Sequence, residues 1–239
     1  MLTSRDTVSV IELVFYIPAA LLSIFLLTKH GFKSSRVWLY TLILCTARII
    51  GAICQFLSHN NPSQGLIEAI LIIDSIGISP LLLATSGLLR RFVEGTKMSI
   101  FGRPFHILRI LTLVGLILAI AGGTSINLQS NAAIQIPTTS RVAIILYIVA
   151  YIGIVFIFSI SVKYVSVTPK TERRVPVAIV IALPFILVRL VYSACTVFLH
   201  NHTFSVLAGN VAVWVVMSVV QEFIVVGIFI VLGFFVDKF

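Results

Sequence analysis

Seven stretches of this chain are apolar over about 20 residues each, near positions 8–28, 37–57, 66–89, 107–126, 142–163, 175–199 and 205–236. A bilayer core is about 30 Å thick, and a helix needs about 20 apolar residues to cross it. The expectation is an all-α bundle of seven transmembrane helices, forming a single integral membrane domain over residues 1–239. Composition agrees, with 59% hydrophobic residues, 10% charged residues and a mean hydropathy of +1.13. A soluble domain carries about 25% charged residues, so a water-soluble globule is excluded. The first run could pass for a signal peptide, but its length, Glu12, Pro18 and the basic loop behind it predict a retained span. The last run is long for one crossing, which predicts a tilted or extended helix.

The loops predict an orientation. Alternate loops carry Lys29, Lys33 and Arg36; then Arg90, Arg91, Lys97, Arg103 and Arg109; then Lys163, Lys170, Arg173 and Arg174. With Lys238 these are thirteen basic residues on one side, against Arg5 and Arg141 on the other. The positive-inside rule places the C-terminus in the cytoplasm and the N-terminus in the lumen or outside. The net charge of +9 is therefore a topological signal, and no nucleic-acid partner is expected. Cys45, Cys54 and Cys195 all fall in apolar runs, so no disulfide framework and no loop metal site follows. No phosphate-binding loop or dinucleotide glycine fingerprint is present, and no cofactor is expected. Asn201-His202-Thr203 forms a glycosylation sequon on the lumenal side, too near the membrane for ready use.

Five charges remain inside the spans: Glu12, Arg48, Asp74, Arg189 and Glu222. Each would cost roughly 2.5–3.5 kcal/mol at the bilayer centre on insertion scales, so they must face inward and pair or meet water. Counting from the basic loop residues at about 1.5 Å per residue puts Asp74 and Glu222 about 24 Å from the cytoplasmic charges. Arg48 and Arg189 come out about 18–22 Å up, and Glu12 lies about a turn below the lumenal end of its span. One layer of the membrane can hold all five. Depth is all that counting supplies, and it leaves open whether they share a side of the bundle.

Two segments echo each other. Arg48 precedes Cys54 by six residues and His59-Asn60 by eleven and twelve, and Arg189 stands in the same relation to Cys195 and His200-Asn201. Each segment is followed by a span with an acid at matching depth. This predicts a parallel repeat of three helices, one linker helix and three helices, with two Arg–acid pairs about a pseudo-twofold axis. The plain structural reading is of buried ion pairs that hold the bundle in register. The functional reading rests on three acids against two arginines, on the common depth, and on polar neighbours: Tyr16, Ser75, Ser79, Tyr192, Ser193 and Gln221.

Other chemistries are weaker. No lysine lies deep in the seventh span for a retinal, and His30, His59, His106, His200 and His202 lie at span ends, where haem between helices is not held. His59, His200 and His202 share the lumenal side and could bind zinc, but no aspartate accompanies them there, and no metal is expected. Gly122-Gly123 reads as close helix packing or a helix end. Pro18, Pro80 and Pro184 lie within spans and predict kinks or a cavity. Trp38, Trp214, Tyr151 and the 17 phenylalanines either line an apolar pocket or simply pack.

The runs Ile11-Glu12-Leu13-Val14-Phe15-Tyr16-Ile17-Pro18, Lys29-His30-Gly31-Phe32, Ala47-Arg48-Ile49-Ile50-Gly51 and Asp74 to Ala84 resemble a family of short seven-span fungal membrane proteins, mostly of unassigned function. Leu183-Pro184-Phe185, Arg189 to Ser193 and Glu222 extend the likeness over nearly the whole chain. Some members are similar to membrane-bound epoxide hydrolase/cyclases of fungal polyketide biosynthesis (the aurovertin, citreoviridin and asteltoxin types). The chain also shares size and span number with fungal membrane-bound terpene cyclases. The resemblance implies an endoplasmic-reticulum enzyme of secondary metabolism.

The expected function is acid/base opening or cyclisation of a lipophilic epoxide that enters from the bilayer. One carboxyl protonates the oxirane oxygen and another, beside an arginine, activates water or an internal hydroxyl. Asp74 and Glu222 are the expected acid–base pair, in either order, with Glu12 and Tyr16 positioning water or substrate. Arg48 and Arg189 hold the carboxylates, with Tyr192 and Gln221 in support. A terpene cyclase is the nearest alternative, and a small-solute transporter or receptor-like protein is the non-enzymatic one.

Overall fold

Among the described residues of the computed structural model (4–30, 36–60, 63–95, 102–125, 137–163, 174–199 and 209–236) every regular element is helical. In chain order these are α1 (Ser4–His30), α2 (Arg36–Asn60), α3 (Gln64–Ile76), α4 (Ile78–Gly95), α5 (Gly102–Thr124), α6 (Thr138–Ser161), α7 (Arg174–Phe198), α8 (Val211–Trp214) and α9 (Val220–Phe235). A π-helical segment, Val215–Val219, joins α8 to α9. Taking α3 with α4, and α8 with α9, seven helices are long and apolar enough to cross a membrane. The seventh runs from Val211 to Phe235, 25 residues, so the long crossing expected from the sequence is of ordinary length. The positions before it, 205–208, lie outside the described residues.

The bundle is turned inside out relative to a soluble protein. Val14, Leu21, Ile117 and Phe156 stand on the outer surface, while Glu12, Arg48, Arg189 and Glu222 are buried. Lipid tails give no hydrophobic drive for helix association, so close packing and polar contacts must hold the helices together. Gly122 and Gly123, at the end of α5, show one means: a Cβ on Gly123 would stand 2.5 Å from Ile72 Cγ1, and one on Gly122 would run into Ser140. Both readings of that glycine pair hold, since it is a helix end in close packing. Most membrane-embedded hydroxyls are satisfied within their own helix, as where Ser23 donates to the Ala19 carbonyl (2.8 Å) and Thr85 to Leu81 (2.7 Å).

Two irregularities fall in the spans that carry the acids. Ser63 caps α3 by accepting from the Leu66 amide at 3.4 Å, and the helix runs to Ile76. Pro80 has no N–H for the Ile76 carbonyl and its ring crowds that oxygen, so the ladder breaks at Gly77 and restarts as α4. Gly77 itself stays near helical geometry (φ −50°, ψ −33°), so α3 and α4 remain one span. In the last span Asn210 caps α8 by accepting from Ala212 N at 3.0 Å, and the π segment then inserts one extra residue into the winding. Pro18 and Pro184 lie inside α1 and α7. Tyr151 donates to the Leu183 carbonyl next to Pro184 at 3.1 Å, tying α6 to α7 rather than lining an apolar pocket. Trp38 is also a packing residue: it is buried and stacks on His30 with ring centroids 4.6 Å apart.

Candidate functional site

All five intramembrane charges meet in one place. Glu222, on α9, has no exposed surface, and both arginines grip it. Arg48, from α2, donates through Nε to Oε2 at 2.6 Å and through Nη2 to Oε1. Arg189, from α7, donates through Nε to Oε1 at 2.8 Å. Tyr16, from α1, completes the set by donating its hydroxyl to Oε2 at 3.2 Å. Fork geometry is what a guanidinium offers a carboxylate.

Asp74, near the C-terminal end of α3, is held more loosely by the same two cations. Its Oδ1 accepts from Arg48 Nη1 at 3.4 Å and from Arg189 Nη2 at 3.3 Å, and Arg189 Nη2 also takes the Asp74 backbone carbonyl at 2.9 Å. The third nitrogen of Arg189, Nη1, donates to Ser193 Oγ at 2.7 Å. Glu12 is the outlying member. Its Oε1 lies 4.0 Å from Arg48 Nη1 and, though buried, has no hydrogen-bond partner. The two separate Arg–acid pairs expected from the internal echo are instead one interlocked network, because each arginine bridges both Asp74 and Glu222.

Backbone irregularity makes room for this network. A Cβ on Gly77 would stand 2.8 Å from both Arg48 Nη2 and Glu222 Oε1 and 3.4 Å from Arg189 Nη2. The charges therefore lie directly against the backbone at the α3–α4 break. On the other side, Glu222 follows the π segment by three residues, and the inserted residue changes the face on which it emerges. Gln221 serves that irregularity, not the cluster: its Nε2 donates to the Val216 carbonyl at 2.9 Å, within the π turn. Tyr192 lies beside the cluster with its ring centroid 5.6 Å from the Arg189 guanidinium carbon. Ser75 turns away and donates to Leu71 O at 2.8 Å, while Ser79 is fully buried.

Two small cavities open on the cluster, and Asp74 lines both. One, of about 30 Å³, is lined by α1, α2 and α3 and brings Glu12, Arg48 and Asp74 together with Arg5, Ser9 and Trp214. The other, of about 40 Å³, lies toward α5, α6 and α7 and is edged by Ser75, Ser140, Ser193 and Thr196. Each has room for a few water molecules, given about 10–15 Å³ for one. Glu222 lines neither. Asp74, with its side chain 12% exposed, is the acid of this pair that water reaches.

Sequence reasoning missed Arg5, Asp6 and Ser9. Asp6 and Ser9 belong to a stripe that continues through Glu12, Tyr16 and Ser23 down the buried face of α1, with the half-buried Arg5 at its edge. The signal was available, since polar residues recur there every three or four positions in an otherwise apolar run. Of the three histidines in the zinc reading, His200 and His202 lie outside the described residues, and among those described no three His, Cys, Asp or Glu residues are grouped to hold a metal.

Compared with known proteins, the chain matches one family over residues 2–239, described as "Domain of unknown function (DUF7702)". The match spans the whole chain, and the chain belongs to that family. No curated protein and no solved structure matches it.

Proposed function

We propose that this member of the DUF7702 family is an intramembrane acid/base enzyme that opens or cyclises an epoxide on a lipophilic small molecule, without a cofactor. The observation that carries the reading is the cavity in which Glu12 and Asp74 flank Arg48. Opening an oxirane requires a proton at its oxygen and a base for the attacking hydroxyl, on opposite sides of the breaking bond. The sequence-based pair was Asp74 and Glu222. The geometry favours a different division, in which Glu222 anchors both arginines and Asp74 works with Glu12.

In this reading two arginines neutralise Asp74 and Glu222, which both of them touch, and the third carboxyl, Glu12, carries the proton. Asp74 takes a proton from water or from a substrate hydroxyl as its oxygen attacks an oxirane carbon. The C–O bond breaks and Glu12 protonates the departing oxygen. Proton return from Asp74 to Glu12 through cavity water resets the site. With water the product is a diol, and with an internal hydroxyl it is a cyclic ether isomeric with the substrate. The cavity is small, so only the oxirane end enters and the apolar remainder stays in lipid. Two acids about an arginine solve the same problem in limonene-type epoxide hydrolases, an analogy of chemistry and not of fold. An orientation with the C-terminus cytoplasmic, a location in the endoplasmic reticulum and a place in fungal polyketide biosynthesis belong to the same proposal. A terpene cyclase needs an aromatic wall for its carbocations, and among the described residues Trp214 is the sole aromatic one lining either cavity.

The test is turnover in yeast microsomes supplied with a polyepoxide and with an epoxy-prenyl substrate. Wild type is expected to convert the polyepoxide, and Asp74→Asn and Glu12→Gln each to lose about 100-fold or more while retaining the wild-type amount of folded protein. No conversion of either substrate by folded wild type overturns the enzyme reading.

One observation favours a second reading. Broken helices at a charged midplane site mark many carriers, and here the α3–α4 break and the π turn both lie at the cluster. A proton-coupled solute carrier would give Asp74-dependent flux in liposomes under a pH gradient, with no chemical change in the solute. The parallel repeat is part of this reading.

A further inference from the structure

A third cavity lies at the other end of the bundle, between the starts of α2 and α5 and the C-terminal half of α4. At about 110 Å³ it is larger than either cavity at the acid cluster. Its walls are Arg36 and Tyr40 of α2, Ser86 and Arg90 of α4, and His106 and Arg109 of α5. No acid lines it. Arg90 is engaged outside it, donating through Nε to Glu94 at 2.7 Å on an exposed face. Arg36 and Arg109 form no ion pair and no side-chain hydrogen bond among the described residues, and Arg36, Arg90, His106 and Arg109 are all exposed. Three guanidiniums thus converge on one concave site, two of them with their hydrogen-bonding capacity unused.

The helix geometry adds to the charge. Arg36 opens α2, and His106 and Arg109 lie in the first two turns of α5. Both helices therefore aim their positive ends, with unbonded amides, toward this end of the bundle. The alcohols of Tyr40 and Ser86 supply further donors. Sequence reading takes these arginines only as orientation signals, and orientation requires no pocket. Basic residues that merely mark the cytoplasmic side can be spread over the surface, whereas these enclose a cavity between three helices. Planar forks suit the several oxygens of one anionic group better than they suit scattered charge.

We propose that this pocket binds a phosphomonoester or pyrophosphate group. The shared chemistry has two sources, a lipid headgroup in the adjoining leaflet or a soluble phosphate compound. Basic pockets between transmembrane helices hold lipid headgroups in this manner. The pocket is separate from the acid cluster: Tyr40 precedes Arg48 by eight residues on α2, about 12 Å along the helix. It does not depend on the catalytic reading above.

The experiment uses the purified full chain in phosphatidylcholine nanodiscs. One arm adds phosphatidic acid, with phosphatidylserine as an anionic phosphodiester control. A second arm adds inorganic pyrophosphate to discs of phosphatidylcholine alone. Retained lipid is read by native mass spectrometry and soluble ligand by the shift of the thermal midpoint. Wild type is expected to retain phosphatidic acid at least about tenfold over phosphatidylserine, or to be stabilised by pyrophosphate, and the arm that responds identifies the source. The double variant Arg36→Gln/Arg109→Gln is expected to bind about 30-fold more weakly, with an unchanged thermal midpoint in ligand-free discs because both side chains are exposed. Lys163→Gln/Arg103→Gln removes the same charge from the same end of the bundle outside the pocket, and should change binding by less than about twofold. No preference in either arm overturns the proposal. So does an equal loss in the two double variants, which would mean diffuse attraction to basic residues.

Discussion

At Glu222, one carboxylate takes hydrogen bonds from Arg48, Arg189 and Tyr16 and exposes no surface. Neutralising it leaves two buried guanidiniums to share the longer contacts to Asp74, at 3.3 and 3.4 Å. Glu222→Gln is expected to destabilise the bundle by about 3–5 kcal/mol, read as a lower thermal midpoint in detergent. Tyr16→Phe removes one hydrogen bond to the same carboxylate and should cost about 1 kcal/mol. Glu12→Gln breaks no hydrogen bond, since the nearest cation is 4.0 Å away. Its midpoint should stay close to wild type while activity falls. A large loss of stability in Glu12→Gln would instead place Glu12 among the residues that hold the bundle together.

The elements that carry the acids are the irregular ones. Gly77 lets α3 and α4 pass within reach of the charge network, so Gly77→Ala pushes a methyl against Arg48 Nη2 and Glu222 Oε1, each at 2.8 Å. Those atoms are fixed by one another and yield poorly. The expected cost is about 1–3 kcal/mol, again read from the thermal midpoint. Pro80→Ala acts in the opposite sense by restoring a donor to the Ile76 carbonyl and rejoining α3 to α4. Its midpoint should rise while activity drops, because a continuous helix moves Asp74 relative to Arg189; this follows the usual conflict between stability and function. Equal turnover in Pro80→Ala and wild type would show that the break serves only packing. Gln221→Ala leaves the Val216 carbonyl of the π turn without its side-chain donor, at a cost of about 1 kcal/mol.

For the whole molecule, the sequence puts thirteen basic residues in alternate loops and at the C-terminal end, which predicts that they share one side. A fluorescent reporter fused after Phe239 is expected to light up in the cytosol, and a glycosylation tag placed before Ser4 to be modified in the lumen. The reverse pattern would also turn the phosphate pocket toward the lumen and move its ligand to the other leaflet.

The number, order and approximate ends of the spans were legible in the chain, and so was the common level of the five buried charges. The physical reason is that hydrocarbon thickness fixes how many residues cross, and a helix rises evenly along its axis. Rotation about that axis is not fixed in this way. Each residue turns the chain by about 100°, so one inserted residue at Val215–Val219 or one lost hydrogen bond beside Gly77 changes which side chains meet. Which acid would be clamped and which left open to water was therefore decided by tertiary structure, and so was the fusion of two expected ion pairs into one network. Likewise, Arg36, Arg90 and Arg109 lie far apart in the sequence, where they report only a side of the membrane. Only the packing of α2, α4 and α5 closes them around a shared cavity.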